Sequence, residues 1–101
     1  MFDPATYTES FEREHGCTEV EWLGQLPGAC EPHALRVGHA QAWVSLDGGT
    51  LQLDWQVLPP RRIALIQLPL MRVRYHFDGV ETPARQRFMK HFDLFMQKGG
   101  G

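Results

Sequence analysis

Residues 40–57 read AQAWVSLDGGTLQLDWQV, and the alternation within them decides the fold. Ala40, Ala42, Val44 and Leu46 fall on one side of an extended chain, with Gln41, Trp43 and Ser45 on the other. Successive side chains of a β-strand point to opposite faces, so a period of two with one apolar set marks a half-buried strand. Asp47-Gly48-Gly49 supplies the positive-φ positions of a tight turn. Leu51, Leu53, Trp55 and Val57 then alternate with Gln52, Asp54 and Gln56. Two such runs joined through Asp-Gly predict an antiparallel hairpin.

The pattern extends downstream. Pro59-Pro60 is read as the end of the second strand, Arg62 to Leu68 as a third, and Pro69 as its interruption. Met71, Val73, Tyr75 and Phe77 then alternate with Arg72, Arg74 and His76, and Asp78-Gly79 turns the chain. Thr82-Pro83 opens a helix, because threonine accepts from free backbone donors and proline suits the first helical position. Phe88, Met89, Phe92, Phe95 and Met96 give that helix a broad apolar stripe, which Lys98 and Gly99 close.

Upstream the signals are weaker. Residues 34–46 read as extended, broken or bulged at Gly38. The glycines and prolines of 24–33, GQLPGACEPH, predict a loop. Val20 and Trp22 alternate with Glu19 and Glu21, which favours a short strand at 17–23 over continuation of the first helix. Asp3-Pro4 and the Tyr7/Phe11 pair give a helix over about 4–15. The expected fold is α+β: an antiparallel β-meander of four to five strands with an N-terminal and a C-terminal helix packed on one face. The chain of 101 residues is read as a single domain over 1–101, with a flexible glycine tail at 99–101. Its expected core is Tyr7, Phe11, Val44, Leu46, Leu51, Leu53, Trp55, Val57, Val73, Tyr75, Phe77, Phe88, Phe92 and Phe95.

Composition is that of an ordinary globular protein, with 43% hydrophobic and 22% charged residues. The net charge of −2 hides an asymmetry. Residues 1–33 carry seven acids against Arg13 alone, whereas the rest carries nine basic side chains against five acids. Such halves attract each other within one fold, or attract a second copy or an oppositely charged partner. The start MFDPATYTESFE has neither the basic residues nor the apolar run of a signal peptide, and the apolar stretch IALIQLPLM is too short for a bilayer. The expectation is a cytoplasmic protein with no membrane partner and no need of a disulfide between Cys17 and Cys30.

Chemistry-bearing patterns are few. Cys30, His33 and His39 form the alternative reactive or ligand site. Cys30 lies three residues before His33 within a Gly/Pro-bounded segment, the arrangement in which a base activates a thiol. Their spacing matches no zinc pattern, and no metal or other cofactor is expected. Gly48-Gly49 sits in a hairpin rather than between a strand and a helix, so it is no phosphate loop. The sheet face opposite the core is more informative. It would present Trp43, Arg72, Arg74 and His76, and Trp and Arg anchor protein interfaces. Trp43, Arg72 and Arg74 also suit single-stranded nucleic acid, but the same face carries Asp54 and three glutamines, so a nucleic-acid partner is unlikely on charge. The functional expectation is a non-catalytic protein-binding or self-associating domain, with a protein partner or a homodimer.

Overall fold

A computed structural model describes residues 7–99. Seven elements follow in order: β1 Ser10–His15, α1 Glu19–Cys30, β2 Leu35–Val37, β3 Gln41–Leu46, β4 Gly49–Ile63, β5 Ile66–Asp78 and α2 Thr82–Gly99. The five strands form one antiparallel sheet in the order β1-β5-β4-β3-β2. The α+β expectation holds in this form. β2 to β5 are the meander, and β1 joins it beside β5.

The hairpin of 40–57 forms as the alternation demands. Leu46 pairs with Gly49, Val44 with Leu51 and Ala42 with Leu53, so the apolar set of each strand meets that of its neighbour. Gly48 takes φ 84 in the turn, and a Cβ on Gly49 would stand 1.9 Å from the Asp78 carbonyl oxygen, so both positions need glycine. Residues 34–46 divide into β2 and β3 around a turn in which Gly38 N–H donates to the Gln41 carbonyl at 2.7 Å.

Three local expectations are corrected. Pro59-Pro60 does not end a strand. The prolines sit in a bulge between Leu58 and Arg61, where the ladder needs no donor, and β4 runs on to Ile63. The segment read as a third strand therefore contains a turn, Ala64-Leu65, in which Ala64 has φ 54.

Over residues 10–15, where a helix was expected, the chain is β1. Phe11, Arg13 and His15 face inward and Ser10, Glu12 and Glu14 face outward. Charged or polar residues at two of three inward positions disguised the alternation. The Asp3-Pro4 helix start lies outside the described residues.

Residues 19–30 are a helix rather than a strand and a loop. Thr18 and Glu21 make a reciprocal cap: Thr18 Oγ1 accepts from Glu21 N–H at 3.1 Å, and Glu21 Oε1 accepts from Thr18 N–H at 2.8 Å. Trp22, Leu26, Ala29 and Cys30 then enter the core at helical spacing, and Pro27 is tolerated on the solvent side.

Both helices lie on one face of the sheet. Trp22 meets Trp55 edge-on at 5.7 Å, Phe92 meets Tyr75 at 5.9 Å, and Phe88 meets Phe77 at 6.3 Å. Of the expected core, Phe11, Leu46 and Phe95 are only partly buried, and Val57 is exposed where β4 has passed the end of β3. Trp22, Leu26, Met71 and Met89 are core residues that the sequence reading did not include.

Candidate interaction surface

β1 places Arg13 and His15 under the helices. Arg13 donates to both carboxylate oxygens of Asp93 on α2, at 2.6 and 3.1 Å, and the Tyr7 hydroxyl donates to the same carboxylate at 2.6 Å. The Arg13 guanidinium also stands within 6 Å of the rings of Tyr7, Phe11 and Tyr75. Burial, reinforced by the Asp93 carboxylate, pushes the Tyr7 hydroxyl up to about 12. His15 Nε2 is hydrogen-bonded to the Tyr75 hydroxyl at 2.7 Å, and burial, aided by Arg13, pulls the imidazole down to about 4. Sequence reasoning missed this network because its hydrogen-bonded partners are 60 to 86 residues apart. Its charges are satisfied by one another, so it fastens β1 to α2.

The alternative reactive site is dispersed. Cys30 is fully buried at the end of α1, and burial pushes its thiol up to about 12, the opposite of an activated nucleophile. His33 packs beside the Phe88 ring at 5.7 Å, at the mouth of a cleft of about 270 Å³ shared with Asp47, Arg87 and His91. His39 is exposed in the turn between β2 and β3. Among the described residues no three His, Cys, Asp or Glu side chains are placed to hold a metal ion together.

The open sheet face carries the other expected residues together. Arg36, Trp43, Gln52, His76 and Ser10 form one cross-strand row, and Gln41, Asp54, Arg74 and Glu12 form the next. Trp43 is nonetheless two strands from Arg72, Arg74 and His76, about 10 Å at ordinary strand spacing. Each of these residues already has company. The Arg36 guanidinium covers the Trp43 ring at 4.7 Å. His76 Nδ1 is hydrogen-bonded to Ser10 Oγ at 2.6 Å. Arg74 donates to Glu12 at 2.7 Å, with Arg72 4.0 Å from the same carboxylate, and Arg61 reaches Glu14 at 3.3 Å. The acidic first third thus meets the basic strand within one copy. Part of the basic charge of this face is paired internally, with Arg72 and Arg74 sharing the one carboxylate of Glu12.

The sheet continues beyond its neighbours. β3 pairs with β4 only as far as Asp54, and β1 pairs with β5 only from Met71 onward. Residues 57–70 therefore form a two-stranded arm with two free edges. Val57, Ile63, Ile66 and Leu68 are exposed large apolar residues on it, and Leu65 at its turn is as exposed as in an extended chain, at 102%. Pairing of Arg61 with Leu68 and of Ile63 with Ile66 puts Ile63, Ile66 and Leu68 on one side of the ribbon together with Arg61, while Val57, opposite Met71, faces the other side. Pro59, Pro60 and Pro69 lack the N–H that strand addition requires, so the arm offers a face and a tip more than an edge. The sequence signal for the arm was the apolar run around 63–70, read as a strand because nothing marked the turn inside it.

Among the described residues no helix is long and apolar enough to cross a membrane. No protein-family model matches the chain, and no curated protein shows significant similarity to it.

Proposed function

We propose that the chain is a non-catalytic protein-binding domain that associates with a second copy of itself through the β4–β5 arm. The observation that carries this reading is the arm's exposure: five large apolar side chains stand on a ribbon that neither helix nor neighbouring strand covers. A two-stranded ribbon alone is marginal in water, so an element that covers this one gains both apolar burial and order. Contiguous exposed apolar surface of this kind marks interaction sites in soluble proteins. Trp43, Arg72, Arg74 and His76 lie on the neighbouring sheet face and would form the polar rim of such a contact. A cytoplasmic setting is part of the proposal.

Sedimentation from low to high micromolar concentration tests it. The parent chain should shift from monomer to dimer, and Leu65→Asp with Ile66→Asp should hold it monomeric with unchanged circular dichroism. A parent that stays monomeric throughout would refute self-association.

A further inference from the structure

α1 has a second face. Val20, Leu23, Gly24 and Pro27 recur at spacings of three, one and three on the side away from the core, and all four are exposed, Val20 at 81%. A helix on a small sheet normally turns polar residues outward, so a second apolar stripe is a surface without a partner. A Cβ on Gly24 would meet nothing within 4 Å, which leaves the stripe open and low at its centre. Glu19 and Glu21 border its N-terminal end, and Glu21 is fixed by its bonds with Thr18.

The arm has the complementary character. No acidic residue occurs between Trp55 and Phe77, while Arg61 and Arg62 stand just behind the apolar tip. Arg61, on the same side as Ile63, Ile66 and Leu68, is held by Glu14, and Arg62, opposite Gln67, faces the other side and is in no ion pair among the described residues. Arm and stripe do not meet within one copy, since Leu65 and Val20 are both open to solvent. They do begin at the same end of the molecule. β1 finishes at His15 opposite Met71, a Cβ on Gly16 would stand 3.9 Å from the Pro69 carbonyl oxygen, and Glu19 in the first turn of α1 accepts from Trp55 Nε1 at 2.7 Å. A donor surface and its receiver side by side on one copy can satisfy each other reciprocally about a two-fold axis, closing a dimer rather than opening a filament.

We infer that the second copy receives the arm on the Val20–Leu23–Gly24–Pro27 stripe of α1, so that two copies exchange arms, with the acid-free, basic arm of each set beside the acidic start of α1 in the other. This rests on the reading of the arm as the self-association element and adds the surface that it docks on.

Complementation of two variants tests the exchange. An arm variant, Leu65→Asp with Ile66→Asp, and a stripe variant, Val20→Lys with Leu23→Lys, change only exposed positions. Circular dichroism and urea midpoints establish that each is folded. Gly24→Lys, which projects into open space, serves as a second stripe variant. Sedimentation of the parent should show a dimer. Each variant alone should dimerise at least 100-fold more weakly. Their equimolar mixture at high micromolar concentration should regain a heterodimer, because an intact arm then meets an intact stripe and the introduced Asp residues face the introduced Lys residues. A stripe variant that dimerises like the parent, or a mixture that stays monomeric, overturns the exchange while leaving the arm as the contact element. A monomeric parent overturns both readings. Binding of that monomer to vesicles containing anionic lipid, lost in the arm variant, would assign the arm to a membrane surface instead.

Discussion

Arg13 and Asp93 form a two-point ion pair beneath α2, with donor–acceptor distances of 2.6 and 3.1 Å, and the carboxylate is nearly enclosed. It is the main polar tie between the first strand and the last helix. Truncating one partner strands the other. Arg13→Ala should destabilise the fold by about 3–5 kcal/mol, because a buried carboxylate is left with only the Tyr7 hydroxyl. Arg13→Met combined with Asp93→Leu should cost less than either single change, since no charge is then left unpaired. Urea unfolding of the three variants measures this. Additive losses would show that the pair is not coupled.

His15 gives the fold an acid-side pH dependence. Its imidazole is held at about 4 in the folded chain, below the ordinary 6.5, so the unfolded chain takes up the proton first as pH falls. Stability from this residue is complete above about pH 6.5 and is lost as pH falls toward 4. The loss should be about 1–3 kcal/mol after allowance for its partial exposure. His15→Gln, which keeps a hydrogen-bonding side chain without a titration, should flatten that part of the stability profile. An unchanged profile would place the dependence on other groups.

Gly28 of α1 lies directly against the Phe95 ring of α2. A Cβ there would fall 2.2 Å from Cζ of Phe95, so the ring must move or the helices must part. Gly28→Ala should cost about 1–3 kcal/mol despite alanine's better helix propensity. Adding Phe95→Leu should recover part of the loss, read as a non-additive thermal shift. A stabilised Gly28→Ala would mean that the ring yields freely.

Legibility followed the inward-facing residues. β3, β4 and the distal half of β5 put only apolar side chains inward, and their alternation read directly as strands. β1 puts Arg13 and His15 inward, which is possible only because Asp93 and Tyr75 are waiting for them, and no local pattern carries that information. α1 was hidden by Gly24, Pro27 and Gly28, which read as loop residues. They serve there as an open outer stripe and a close inner contact. The Thr18-x-x-Glu21 cap was the available sign of a helix. Trp43, Arg72, Arg74 and His76 were foreseen on the open sheet face, and attraction of the acidic and basic segments within one fold was one of the alternatives, but the particular pairs were not legible, because nothing local placed Glu12 beside Arg74. The arm was missed for lack of a turn signature at Ala64-Leu65.

Cys30 and Cys17 should separate cleanly in their reactivity. Cys30 has no exposed surface, and burial holds its thiol near 12, so almost none is thiolate at neutral pH. Cys17 is half-buried, and burial, helped by Glu21, raises its thiol less far. A water-soluble alkylating reagent should therefore modify Cys17 first. Cys30 should react only through opening of the fold, at a rate that rises with urea and tracks the global unfolding free energy. Replacing His33 should leave the Cys30 rate unchanged apart from any effect on stability, because His33 packs against Phe88 rather than serving the thiol. Peptide mapping after timed alkylation of the parent and of Cys17→Ser measures both rates. Rapid labelling of Cys30 in the folded chain, lost in His33→Ala, would restore the thiol–histidine site and with it an enzymatic reading of the domain.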